Sequence, residues 1–155
     1  MKQLHVYDFD KTLYDTPAPK QPAEWLYMKN LEQAGPPGFD ARWKLPYLLE
    51  ARRSLQSIGV VTILLTGRPD YKAMRDKITS MLRNAGADFN GFYLKPLSMN
   101  CPVQEYKAKV VSAIVDDDPL IDKVIMYDDY APNLEAVKAA MAYRNIPCET
   151  HLVKV

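Results

Sequence analysis

Cysteine is scarce in this chain: Cys101 and Cys148 stand far apart, without metal-ligand spacing. That argues against a disulfide-stapled framework or a thiolate metal site, and free thiols in a cytosolic protein are expected instead. Long apolar runs are also missing. The longest, over residues 60–65, is far too short to cross a bilayer, so no membrane partner is expected. Residues 1–5 lack the apolar stretch of a signal peptide. No internal repeat and no low-complexity segment is present. Neither sign of charge dominates, since the net charge is +1, and the molecule as a whole is not an evident polyanion binder.

What remains is a chain with ordinary globular composition, 48% apolar and 25% charged. At 155 residues one domain buries about 68–70% of its unfolded surface, enough for a self-sufficient core. Charge is unevenly placed. Residues 41–83 hold nine basic side chains against three acidic ones, an excess of six that the rest of the chain nearly cancels. Such asymmetry either sets a basic patch beside an acidic site or reflects solvated helix faces.

Apolar and β-branched runs over 3–9, 60–65, 91–94, 123–127 and 149–155 predict five strands. Between them lie stripes with helical period: Trp43, Tyr47, Leu48, Ala51 and Leu55; Tyr71, Met74, Ile78, Met81, Leu82 and Ala85; Val103, Tyr106, Val110 and Ile114; Leu134, Val137 and Met141. Strands alternating with helices predict an α/β three-layer, Rossmann-like domain on a mainly parallel five-stranded sheet. Residues 14–46 break this rhythm. They carry six of the twelve prolines and predict a small cap or flap inserted after the first strand, with a short helix over 23–33.

Chemistry gathers at the strand ends. The first strand runs into Asp8-Phe9-Asp10-Lys11-Thr12, the second into Thr66-Gly67-Arg68, and the fourth into Asp128-Asp129. In a parallel sheet these ends share one edge, so a hydroxyl, a guanidinium and four carboxylates converge. Phosphate monoester hydrolysis calls for such a set. A carboxylate nucleophile divides the reaction into two steps. A hard cation such as magnesium binds carboxylate oxygens and neutralises the phosphate, and a second carboxyl group moves the proton. Asp116-Asp117-Asp118 looks equally acidic but precedes Pro119 in a helix-to-strand turn, which assigns it to the opposite, amino edge as a solvated helix end. His5 and His151 fall inside predicted strands and read as sheet residues rather than bases.

The order and spacing of these three motifs resemble the haloacid dehalogenase-like (HAD) hydrolases over nearly the whole chain. The resemblance implies a HAD-like fold and a magnesium-dependent phosphatase acting through an aspartyl-phosphate. Asp8 would be nucleophile and metal ligand. Asp10 would be general acid then base, lending its main-chain carbonyl to the metal. Thr12 would brace the loop, Thr66 would hydrogen-bond the phosphoryl group, and Asp128 and Asp129 would hold Mg2+. Gly67 and Arg68 would line the substrate, Arg68 gripping a phosphate. For the phosphate-binding lysine two candidates stand, Lys95 after the third strand and Lys107 near a helix start. The resemblance favours Lys107.

Thr66-Gly67-Arg68 further resembles the phosphatase half of polynucleotide kinase-phosphatases, and the Lys95 and Lys107 context resembles the Swiss Army Knife RNA repair branch. That implies a nucleic-acid end as substrate, with Trp25 or Trp43 offered as stacking faces or as packing. A nucleotide or sugar-phosphate phosphatase is the second reading, and a weakly catalytic phosphate- or nucleic-acid-binding module the third.

Overall fold

The computed structural model describes residues 1–17 and 42–155. The helix expected over 23–33, Trp25 and most of the expected cap lie outside these residues. The five strands are β1 (Lys2–Tyr7), β2 (Val60–Pro69), β3 (Gly91–Lys95), β4 (Ile121–Asp128) and β5 (Cys148–Leu152). All pair in parallel, in the order β3-β2-β1-β4-β5. Four described helices connect them: α1 (Leu45–Leu55), α2 (Lys72–Asn84), α3 (Val103–Asp117) and α4 (Ala131–Tyr143). Pro46 sits in the first turn of α1, where its missing N–H removes no helical bond.

A parallel sheet must be covered on both faces, and the alternation along the strands divides the work. Tyr7 and Leu64 face Leu48 and Ala51 of α1 and Met74, Ile78, Met81 and Leu82 of α2. Leu4, Val6, Ile63, Leu65, Val124 and Met126 face Val111 and Val115 of α3 and Leu134, Val137 and Met141 of α4. Each such fully buried side chain contributes about 1.5–3 kcal/mol, and Ile78→Ala or Met81→Ala should cost about 2–5 kcal/mol.

Three expectations shift. First, β2 runs on to Pro69, so Thr66, Gly67 and Arg68 are extended backbone inside the strand. Pro69 pairs with Lys95 after a break in register beyond Leu65. Second, α3 turns Tyr106, Lys107, Val111 and Val115 inward, whereas Val103 is 36% exposed and Val110 and Ile114 are only partly buried. The helix is rotated because its buried face carries a lysine, which a purely apolar stripe passes over. Third, Trp43 is 6% exposed and packs edge-on against Tyr14 and Phe9, so it is core and no stacking face. No helix among the described residues is long and apolar enough to cross a membrane.

Candidate active site

Register alone brings the first two carboxylates together. Tyr7 pairs with Tyr127, so the chain continues into Asp8 beside Asp128, each one step further along neighbouring strands. The connection after β1 leads towards β2, and that after β4 towards β5 on the other side. This is the switch point at which parallel sheets open a crevice.

Beyond Tyr7 the loop closes tightly. The Phe9 carbonyl accepts hydrogen bonds from the Leu13 and Tyr14 amides at 3.0 and 3.2 Å, and Lys11 takes the left-handed conformation at φ 63°. The Lys44 ammonium pins the turn from outside through the Lys11 carbonyl at 2.9 Å. The tight turn returns Thr12 to the strand end, where its hydroxyl donates to Asp8 Oδ2 at 3.1 Å. Thr12 therefore braces the loop through Asp8 itself.

Lys107 is 1% exposed, and its Nζ donates to Asp8 Oδ1 at 2.9 Å and to Asp128 Oδ2 at 2.7 Å. Burial pulls its pKa down, but the two carboxylates outweigh that and hold the ammonium above the usual lysine range. Burial, then the charge of Asp128, push the Asp8 carboxyl well above the usual range, with Lys107 pulling the other way. Burial also raises Asp129. Asp8, Asp128 and Asp129 each offer an oxygen within 4.8 Å of the others. When all three are ionised they exceed the single ammonium by two charges. A compact all-oxygen set with that excess fits a divalent hard cation. The Asp10 carboxylate lies outside this trio, and a contribution from Asp10 would come through its main-chain carbonyl.

Asp10 has other partners. Arg68 donates to it through Nε and Nη2, both at 2.7 Å, and the Thr16 hydroxyl donates to Oδ1 at 2.6 Å. Arg68, expected to grip phosphate, is thus engaged with the second carboxylate of the first motif. Thr66 accepts the Arg68 amide at 3.2 Å, which leaves its own hydroxyl proton to donate. Gly67 has a packing reason: a Cβ there would lie 2.8 Å from Val103 Cγ1 and 2.9 Å from Cγ2, so the Val103 side chain at the start of the helix that carries Lys107 would have to move aside. Lys95 does not line the cleft, and its ammonium donates to the Cys101 carbonyl.

Asp8, Asp10, Thr66, Gly67, Arg68, Lys107 and Asp129 line one cleft of about 380 Å³, together with Lys11, Val103, Tyr130 and Asn133. Sequence reasoning missed Thr16, Tyr130 and Asn133. Asn133 is 5% exposed, and its Nδ2 donates to both Asp128 oxygens at 3.3 and 3.2 Å. Its signal was its place in the first turn of α4, five residues after Asp128. Thr16 has no comparable signal inside the proline-rich stretch.

Residues 18–155 match the family described as HAD domain family 1 in Swiss Army Knife RNA repair proteins. The chain belongs to that family. Asp8, Asp10 and Thr12 lie just before the matched residues of this HAD domain. The uncharacterized protein YMR265C of Saccharomyces cerevisiae is 24% identical over 179 residues, covering 94% of this chain and 38% of the yeast protein. The chain thus spans well under half the length of that relative. The HAD domain of effector protein Lem4 from Legionella pneumophila superposes with a TM-score of 0.66 at 14% identity, covering 99% of this chain and 86% of the other. A chain of the Pnkp1/Rnl/Hen1 RNA repair complex superposes at 0.62 and 14% identity, covering 99% and 43%. At these identities the likeness establishes the fold.

Proposed function

We propose that this HAD domain is a magnesium-dependent phosphomonoesterase that works through an aspartyl-phosphate on Asp8 and removes a terminal phosphate from a nucleic-acid end. The observation that carries the chemistry is one cleft lined by Asp8, Asp10, Thr66, Lys107 and Asp129, with the buried carboxylate of Asp128 bonded to Lys107 behind it. A bound magnesium ion would be held by Asp8, Asp128, Asp129 and the Asp10 carbonyl, and it would neutralise phosphate charge as the anionic nucleophile approaches.

The residues divide the remaining work. Lys107 and Thr12 fix the Asp8 carboxylate at both oxygens, which orients it for in-line attack. An Asp8 oxygen bonds to phosphorus while the bond to the leaving oxygen breaks, and Asp10 supplies the proton to that oxygen. Asp10, then a carboxylate, takes a proton from the water that attacks phosphorus and frees Asp8. Thr66 and Lys107 donate to the phosphoryl oxygens. Arg68 and Thr16 hold Asp10 in place as the carboxylate that serves as base, and in the acid step a proton on Asp10 takes the place of one of these donors.

The nucleic-acid end rests on the RNA-repair family and on the RNA repair complex among the structural relatives. A second reading, a phosphatase for nucleotides or sugar phosphates, is favoured by a cleft whose volume suits a small ligand. Phosphate release from 3′- and 5′-phosphorylated oligonucleotides, mononucleotides and sugar phosphates, with magnesium and with chelator, tests both. Release that needs magnesium and vanishes in Asp8→Asn is expected, with the oligonucleotides preferred. Release that persists in chelator or in the variant would refute the mechanism.

A further inference from the structure

One aromatic side chain stands at the start of α4 and lines the cleft. Tyr130 precedes α4 as its N-cap and forms no side-chain cap, as holds at the start of every described helix, Tyr71 of α2 included. Serine, threonine, aspartate and asparagine are favoured there because their oxygens satisfy free amides of the first turn, and tyrosine offers nothing of the kind. Asp128 Oδ1 takes over part of that task, accepting the Tyr130 amide at 3.0 Å. The same bond fixes the Tyr130 backbone to a carboxylate of the metal trio.

Tyr130 is 55% exposed, so more than half of its surface is open to solvent. Other aromatics around the first-motif loop and α3 are core: Phe9, Tyr14, Trp43 and Tyr106 are all buried. Among the described residues that line the cleft, Tyr130 is the one aromatic, and part-exposed Val103 adds a second apolar surface there. A part-exposed aromatic that lines a cleft beside reacting groups presents a surface suited to a ligand.

We propose that Tyr130 is a specificity-determining residue whose ring stacks on the planar base next to the phosphate of the substrate. The inference rests on the phosphatase reading and deepens it by naming the organic group that the site selects. A tyrosine face suits this task because every nucleobase presents a π-face, so stacking grips a base without reading its identity. The phosphate would be held by Thr66 and Lys107, and the base by a ring whose main chain is tied to Asp128. The two contacts together favour a nucleotide-bearing ester over a bare sugar phosphate.

The test compares thymidine 3′-phosphate with the 3-phosphate of base-free deoxyribose, using wild type, Tyr130→Ala and Tyr130→Trp. Expected is a rise in KM for the thymidine ester of roughly 5- to 150-fold in Tyr130→Ala, the span of base–aromatic stacking, with kcat held within about twofold. The base-free ester should be unaffected, and Tyr130→Trp should restore the wild-type KM. Equal losses on both esters, or none on either, would overturn the proposal. Calorimetric binding of the same two esters separates the two failures. If wild type turns over neither ester yet binds the thymidine ester more tightly, and Tyr130→Ala loses that preference, the phosphatase reading falls and the stacking stands. If binding shows no preference for the base, the stacking falls.

Discussion

Asp8, Asp128 and Asp129 at the carboxyl edge of the sheet, and Asp116, Asp117 and Asp118 at its amino edge, are both groups of aspartates beside strand ends. Burial and partners separate them. The first group is packed around an inaccessible lysine, and burial raises Asp8 and Asp129. At the other edge Asp116 forms a forked pair with Arg144 at 2.8 and 2.9 Å, and Asp118 meets Lys2 at 2.9 Å. There the partners lower the carboxyl pKa values, and water solvates the charge. An acidic run is thus no evidence of a site in itself. Carboxylates forced together without enough counter-charge are such evidence, because holding them costs stability that a ligand must offset.

The sharpest way to break this comparison is to neutralise one member of each group. Asp8→Asn should lower phosphate release by more than about 10³-fold, as loss of a nucleophile does, and Asp116→Asn should leave it within about twofold. Comparable losses would erase the distinction. The cations give the next largest contrast. Lys107→Met strands buried carboxylates and should destabilise the fold by about 3–5 kcal/mol. For a chain of this size that lowers Tm by roughly 10 °C, while Lys2→Met, which breaks only a surface pair, should shift Tm slightly at most. Thermal melts of the two variants check this directly.

Magnesium sharpens the contrast further. A ligand at 100 times its Kd stabilises the folded state by about 2.7 kcal/mol, so saturating magnesium should raise the Tm of wild type by several degrees. Asp129→Asn should lose most of that rise, and Asp116→Asn should keep it. A rise of equal size in both variants would place the ion elsewhere.

Much of the fold was legible because a buried parallel strand needs apolar runs and a covering helix needs a stripe, and both patterns survive in one dimension. The strand-end positions of Asp8 and Asp128 follow from the same runs, whereas Thr66 lies inside β2, which runs on to Pro69. Strand order was not legible, since it depends on which crossover turns which way. The inward face of α3 was misread because Lys107 belongs to the buried stripe only when Asp8 and Asp128 are already opposite it. Arg68 was read as a phosphate ligand, as a guanidinium beside a phosphate site invites, and its bonds to Asp10 were not legible, because Asp10 lies 58 residues away in sequence and becomes a neighbour only through the pairing of β1 with β2. Asn133, Thr16 and Tyr130 each reach the site through one aspartate, Asp128, Asp10 and Asp128 in turn, and contact with one partner leaves no periodic trace.

The smallest expected effect lies at the amino edge and concerns acid. Asp116 and Asp118 have folded-state pKa values below their ordinary value, held there first by hydrogen bonds from Arg144 and Lys2. A depressed carboxyl pKa contributes stability above the unfolded-state value and loses it as pH falls through the folded-state value. Both pairs lie at the surface, so salt screens them and the contribution is slight. Melts of wild type and an Asp116→Asn, Asp118→Asn double variant should therefore differ a little at neutral pH and low salt. They should converge as pH falls below the ordinary carboxylate range, and converge at neutral pH in high salt. A gap that persists in acid would mean that these aspartates support the helix-to-strand turn through the shape of their hydrogen bonds, such as that from the Leu120 amide to Asp118 Oδ1, rather than through charge.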